Sequence, residues 1–253
     1  MRDAIATALQ QLAAEHAVRI LHACESGSRA WGFASPDSDY DVRFLYAHDL
    51  AWYLRVRDAR DTIECMLPGD LDLSGWELRK ALRLFAKSNA ALFEHLGSGI
   101  VYVDGALAGR LRALVPEFFD PIAVANHYLG TARTMLTDHV DSAQPNLKKL
   151  FYVLRPLAAL TWIEQRCTMP PTAFEAVLAG IDLPPERRRW IDELRGIKVG
   201  VSERADVALD PHARAWLRAW FDHGAAIVGT LPSRRGPTAA LDALLADVVL
   251  NGR

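Results

Sequence analysis

Residues 23–46 read ACESGSRAWGFASPDSDYDVRFLY. Asp37, Asp39 and Asp41 stand at alternate positions before an apolar run, and a Gly27-Ser28 pair lies ten residues upstream of Asp39. Strand side chains alternate faces. A strand here puts Asp39, Asp41 and Arg43 on one face and Tyr40, Val42, Phe44 and Tyr46 on the other, where they can bury. Two ionised carboxylates on one face repel unless a cation offsets them. A divalent ion is the usual offset, because Mg²⁺ takes one or two carboxylates together with substrate phosphates and water. A two-metal site would stabilise both the attacking and the leaving oxygen of an in-line phosphoryl displacement.

Other readings of the stretch compete. Counted from Asp37 as an EF-hand loop, position 6 is Val42 rather than Gly and position 12 is His48 rather than Glu, so that reading fails. Gly27 to Gly32 has the glycine spacing of a P-loop, but Phe33-Ala34 stands where Lys-Ser/Thr belongs. A solvated edge-strand face is the bland alternative for the aspartates. The Gly27-Ser28 turn, which offers backbone N–H groups and a hydroxyl to a phosphate, weighs against it.

Outward from this stretch, 2–16 reads as a helix and 18–25 as a strand. The stretch 26–38 reads as a polar loop, and 40–47, 61–67 and 70–74 as strands. Residues 76–96 then carry Leu78, Leu82, Phe85 and Leu92 at helical spacing. A short strand at 100–103 and a linker around Pro116 to Pro121 follow. Helices are expected over 122–140, 146–166, 172–180, 185–196, 211–229 and 237–250. The expected class is α+β: a small mixed β-sheet domain with flanking helices over 1–116, then an all-α helical bundle over 117–253.

The 253 residues are 51% hydrophobic and 24% charged, with a net charge of −2, the balance of an ordinary globular protein without general attraction to nucleic acid. No apolar run approaches the ~18 residues of a membrane span. The N-terminus lacks a signal-peptide layout, so a cytoplasmic protein with no membrane partner is expected. Cys24, Cys65 and Cys167 are scattered and odd in number, which favours free thiols. His22 and Cys24 share a strand face but lack the further pair that zinc needs.

The order strand, Gly-Ser, ten residues, Asp-Tyr-Asp, apolar strand resembles the signature of DNA polymerase beta-like nucleotidyltransferases. GSRAWGFASPDSDYDVRFLY is similar to a bacterial branch of predicted nucleotidyltransferases, some encoded beside RNA ligases. The later LDLSGWELRKAL and LKKLFYVLRPLAALTWIE extend the resemblance from residue 20 to about 165. The resemblance implies that Gly27 and Ser28 hold the triphosphate of an NTP such as ATP. It implies that Asp39 and Asp41 bind Mg²⁺ (or Mn²⁺), and that a third carboxylate completes the site and acts as base towards an acceptor hydroxyl. Asp72 is the first candidate, Asp70 shares its face, and Glu64 on the preceding strand is the second candidate.

The implied reaction transfers a nucleoside monophosphate to an acceptor (an RNA end, a protein or a small molecule) and releases pyrophosphate. A nucleotide is expected in the cleft between the domains. The alternative is a catalytically decayed nucleotide- or partner-binding regulatory protein; the presence of Gly-Ser and both aspartates argues against decay.

Basic residues complete the picture. Arg29 follows Ser28 and can reach phosphate or be solvated. Arg43 shares the aspartates' face, to pair with them or to reach pyrophosphate. Arg79, Lys80, Arg83 and Lys87 form a basic stripe at helical spacing, usually a solvated face. Asn89 fits a capping residue. Lys148, Tyr152 and Arg155 share one helix face, where buried cations need a reason; binding a nucleotide, with Tyr as stacking platform, is one, and a salt-bridged contact is the other.

Overall fold

A computed structural model describes residues 1–140 and 145–252 and divides the chain into two compact units. The first comprises Met1–Ala30, Asp39–Phe118 and Arg235–Arg253; the second comprises Trp31–Ser38 and Phe119–Arg234.

The first unit is α+β. Helix α1 (Arg2–Glu15) leads into β1 (Arg19–Glu25), the short α2 (Gly27–Trp31), β2 (Tyr40–Ala47) and α3 (Leu50–Tyr53). Then come β3 (Thr62–Leu67), β4 (Leu71–Glu77), α4 (Leu78–Ala86), α5 (Ala90–Leu96), β5 (Val101–Asp104) and α6 (Ala106–Phe118). The sheet order is β3-β4-β2-β1-β5. Among the described residues, β2 and β4 run parallel and the other strand pairs of the sheet are antiparallel. Strand β3 folds back onto β4 through Gly69 and Asp70, both at positive φ (83° and 56°), a backbone that a glycine and a short polar side chain tolerate.

The period-2 reading of β2 holds. Val42 and Phe44 are buried with Leu71 and Leu73 of β4 against Ile5, Leu9 and Leu12 of α1. These α1 residues recur at three- and four-residue intervals, one helix face. Each such side chain contributes ~1.5–3 kcal/mol by leaving water.

The helix expected over 76–96 is instead three pieces. Strand β4 runs through Glu77, whose carboxylate caps α4 by accepting from the N–H groups of Arg79 and Lys80. After Lys87, Ser88 takes φ 56° and Asn89 caps α5, accepting from Leu92 N–H at 2.9 Å. The 26–38 loop contains α2, and α6 runs through Pro116 into the start of the expected linker around Pro116 to Pro121.

The last helix, α12 (Ala239–Asn251), belongs to the first unit. Arg19 donates to the carbonyls of Val248 and Gly252, and Arg110 pairs with Asp247. The expected division at 116/117 therefore differs from the observed one at three places, residues 31–38, 117–118 and 235–253.

The second unit is helical. Helix α7 (Pro121–Met135) continues into a π-helical turn, Leu136–Val140. Helices α8 (Leu147–Arg166), α9 (Phe174–Ala179), α10 (Pro185–Val199) and α11 (Pro211–Val228) follow. Helix α8 is central, with Leu150, Phe151, Val153, Leu154 and Leu157 all fully buried. Phe33 packs at a tilt against Phe151 and edge-on against Phe174, and buried Lys198 donates to Ser35 Oγ at 2.7 Å. These contacts bind residues 31–38 into this unit. No helix among the described residues is long and apolar enough to cross a membrane.

Candidate functional site

Because β1 is antiparallel to β2 and β2 is parallel to β4, the end of β1 and the starts of β2 and β4 meet at one edge of the sheet. Gly27 follows β1 there; Asp41 and Asp72 stand on β2 and β4. Asp41 and Asp72 are Cα partners in the ladder, on strands ~4.8 Å apart.

Such a pair needs a cation, and Arg43 supplies one. Its Nη2 donates to Asp41 Oδ1 at 2.9 Å and to Asp72 Oδ2 at 2.8 Å. Its Nη1 donates to the carbonyls of Val42 and Asp72 at 3.2 Å each. Asp41 Oδ2 and Asp72 Oδ1 accept no protein hydrogen bond among the described residues.

The glycine is required by the approach of Asp41. Gly27 has φ 58°, and a Cβ added there would lie 2.2 Å from Asp41 Oδ2. Asp41 is fixed from the other side by the end of β1. Ser26 N–H donates to Asp41 O at 2.8 Å, and Asp41 N–H donates to Glu25 Oε1 at 2.8 Å. Glu25 is fully buried, and burial pushes its carboxyl above the usual carboxylate range. The Tyr102 hydroxyl donates to its other oxygen, and Ser98 Oγ donates to its carbonyl at 2.7 Å. Glu25 and Tyr102 were missed by sequence reasoning; the signal was a lone acid ending the apolar run HAC.

The remaining candidates fall as follows. Ser28 is buried beside Gly27 on α2. Arg29 donates through Nε to Asp39 O at 2.9 Å, and its guanidinium lies 3.7 Å from the centre of the Tyr40 ring. Asp39 is exposed, and among the described residues no three carboxylate, imidazole or thiol groups cluster as a metal cage. Asp70 is exposed in the β3–β4 turn, where its carbonyl accepts from Tyr40 N–H at 2.8 Å. Glu64 sits opposite Ser74, exposed, and pairs with Arg60 at 3.2 Å. The structure thus brings Gly27, Asp41 and Asp72 together and leaves Glu64 beside Arg60.

Lys148, Tyr152 and Arg155 lie on α8 in the helical unit. Lys148 pairs with Glu203, and Tyr152 meets Trp31 edge-on at 5.0 Å. Arg155 is 1% exposed; its guanidinium lies 5.1 Å from both the Trp31 and Tyr128 rings, and Nη2 donates to Thr172 O. Cys24 is a buried thiol, and Cys65 and Cys167 are half-buried thiols.

A Bacillus subtilis (strain 168) protein described as "Uncharacterized protein YcgL" is 43% identical over 213 residues, 82% of each chain. A nucleotidyltransferase-like protein from Exiguobacterium sibiricum 255-15 has a crystal structure that covers 89% of this chain and 77% of its own. At a TM-score of 0.33 and 12% identity that likeness carries no argument. The family described as RlaP, RNA repair pathway DNA polymerase beta family, matches residues 1–247. With a match over nearly its whole length, the chain belongs to this family of polymerase beta-like nucleotidyltransferases.

Proposed function

We propose that the chain transfers a nucleoside monophosphate from an NTP to an acceptor hydroxyl, with Mg²⁺ (or Mn²⁺), and that the acceptor is an RNA end. The acceptor oxygen attacks the α-phosphorus, the α–β phosphoanhydride bond breaks, and pyrophosphate leaves. The hydroxyl proton passes to a carboxylate, for which Asp72 is the candidate. The observation that carries the proposal is the Asp41–Asp72 pair across β2 and β4 beside the Gly27 backbone.

The donor set suits a divalent ion. Asp41 Oδ2 and Asp72 Oδ1 are hard oxygens with no protein partner among the described residues, the ligand type Mg²⁺ takes. Asp41 and Asp72 would hold it, with Asp39 as a third ligand. The ion would neutralise charge developing on the transferred phosphoryl group. The chain's own part is positioning: Gly27 and Ser28 receive the phosphates, and Glu25 fixes Asp41. The family's description, which places it in RNA repair, directs the acceptor towards RNA.

Isothermal titration with each NTP, with and without Mg²⁺, tests the reading on wild type and on Asp41→Asn/Asp72→Asn. Mg²⁺-dependent binding that disappears in the double variant is expected. Transfer of labelled nucleotide to an RNA oligonucleotide then identifies the acceptor. If wild type binds no NTP under any metal condition, the partner-binding alternative replaces the enzyme.

A further inference from the structure

A polar cavity of about 150 Å³ lies in the first unit at the far ends of β2 and β4. Its position is set by Glu77, five residues along β4 from Asp72, or ~16 Å at strand rise. Trp52, Tyr53, Arg55, Arg57, Arg79 and Arg83 line it.

The charges in it are unbalanced. Five cations line the cavity, the four arginines and Lys80, against three carboxylates, Asp58, Asp61 and Glu77. Two of those carboxylates are already used. Asp61 accepts from Lys80 Nζ at 2.8 Å. Glu77, 1% exposed, accepts from the Tyr53 hydroxyl at 2.5 Å and from the backbone N–H groups of Arg79 and Lys80. Among the described residues, Arg55, Arg57 and Arg83 make no ion pair and no side-chain hydrogen bond. Three uncommitted guanidinium groups on one cavity of a chain with net charge −2 are not a by-product of general basicity.

The surroundings narrow the ligand. A cavity this small lies below the ~300 Å³ of a site for a whole drug-sized molecule. It suits a phosphate with its sugar rather than a second NTP. Aromatic surface adjoins the charge: Trp52 stacks on His48 at 4.4 Å and 10°, and Arg79 lies over the Tyr53 ring at 5.1 Å. Leu54 and Val56, alternating with Arg55 and Arg57, are 72% and 102% exposed. Basic groups interleaved with aromatic and apolar surface are the features of a groove for unpaired nucleotides.

We propose that this cavity binds the phosphate backbone of single-stranded nucleic acid, at a site separate from the carboxylates. Arg55, Arg57 and Arg83 contact phosphates, and Trp52 and Tyr53 supply the apolar wall.

The probe is a fluorescein-labelled single-stranded RNA of about a dozen nucleotides, titrated by anisotropy over a range of salt concentrations. Arg55→Gln/Arg57→Gln/Arg83→Gln is expected to weaken binding about tenfold or more and to lower the salt slope by about 2, since each single-strand phosphate contact contributes ~0.7. All three residues are exposed, so the variant should melt like wild type. Arg189→Gln/Arg204→Gln/Arg235→Gln makes the same charge change at exposed positions elsewhere and should leave binding unchanged. Asp41→Asn/Asp72→Asn should also bind the RNA, so loss of NTP binding does not bear on this site. The proposal is overturned if wild type does not bind the RNA or if the first triple variant binds normally. It is equally overturned if the control triple variant loses as much, or if inorganic phosphate displaces the RNA as well as unlabelled RNA does.

Discussion

Asp41 and Asp72 are ladder partners on parallel strands, and a single nitrogen, Arg43 Nη2, binds both, at 2.9 and 2.8 Å. The guanidinium does for the folded chain what a divalent ion would do for the working site: it removes the repulsion between two carboxylates.

Arg43→Gln therefore exposes the pair. Charge-assisted hydrogen bonds contribute ~1.5–3 kcal/mol each when lost from a partly buried site, so the variant should be less stable by about 2–4 kcal/mol without metal. Millimolar Mg²⁺ should restore part of this, raising the melting temperature of the variant more than that of wild type. Thermal melts with and without Mg²⁺ measure it. A variant whose melting point ignores Mg²⁺ would show that the pair does not accept the ion.

Gly27→Ala tests the backbone beside Asp41. A left-handed φ of 58° costs an L residue ~1 kcal/mol, and the new methyl would meet Asp41 Oδ2 at 2.2 Å. Asp41 must move, so NTP affinity should fall at least about tenfold. Gly69→Ala is the matched control: φ is 83°, but nothing lies within 4 Å of the added Cβ. It should lose similar stability and keep NTP affinity. Equal affinity losses in both variants would remove Gly27 from the site.

What could be read in the sequence were the features that repeat locally. Asp41 and Arg43 against Val42 and Phe44 is a period of two, and it placed β2 on its observed residues. The resemblance, which calls for a third carboxylate on a later strand, points to Asp72 because DLDLS reads as a short strand running into a helix, and Asp72 lies on β4. Arg43 bridging Asp41 and Asp72 could not be chosen over a role on pyrophosphate, because it depends on which strand neighbours β2. The helical spacing of Leu78, Leu82 and Phe85 ran past its true ends because Glu77 and Asn89 act as caps through hydrogen bonds that periodicity does not register. Gly109 and Pro116 disguised α6, although Leu107, Leu111 and Phe118 bury. The return of α12 to the first unit rests on Arg19 and Arg110, contacts more than 130 residues apart in the chain.

Glu25→Gln tests the support of Asp41. The carboxylate accepts from Asp41 N–H at Oε1 and from the Tyr102 hydroxyl at Oε2; an amide keeps an acceptor at one of these positions and puts an NH2 donor at the other. The turnover rate should fall, and NTP affinity with it as in Gly27→Ala, because the backbone of Asp41 shifts. Tyr102→Phe removes one donor and leaves the bond to Asp41, so it should fall less. A Tyr102→Phe loss equal to that of Glu25→Gln would place the effect elsewhere than Asp41.

Acid should weaken the fold through His95 and His22. Burial, with Arg43 nearby adding to it, holds the His95 imidazole down at about 3, and burial also lowers His22. The unfolded residues titrate near 6.5. Between these values the unfolded chain binds more protons than the folded one, so stability is fully present above about pH 6.5 and declines as pH falls. For His95 alone the loss is about 2 kcal/mol by pH 5, at 1.36 kcal/mol per unit. Glu25 acts oppositely, because burial raises its carboxyl above the usual carboxylate range. A His95→Phe variant isolates the histidine: it keeps an aromatic ring beside Trp76, which lies 5.3 Å away, and removes the titration. Urea unfolding from pH 5 to 7 should give wild type a slope of stability against pH steeper by roughly one proton. Parallel slopes would mean that His95 is protonated in the folded chain, and that its burial does not set the acid limit of this protein.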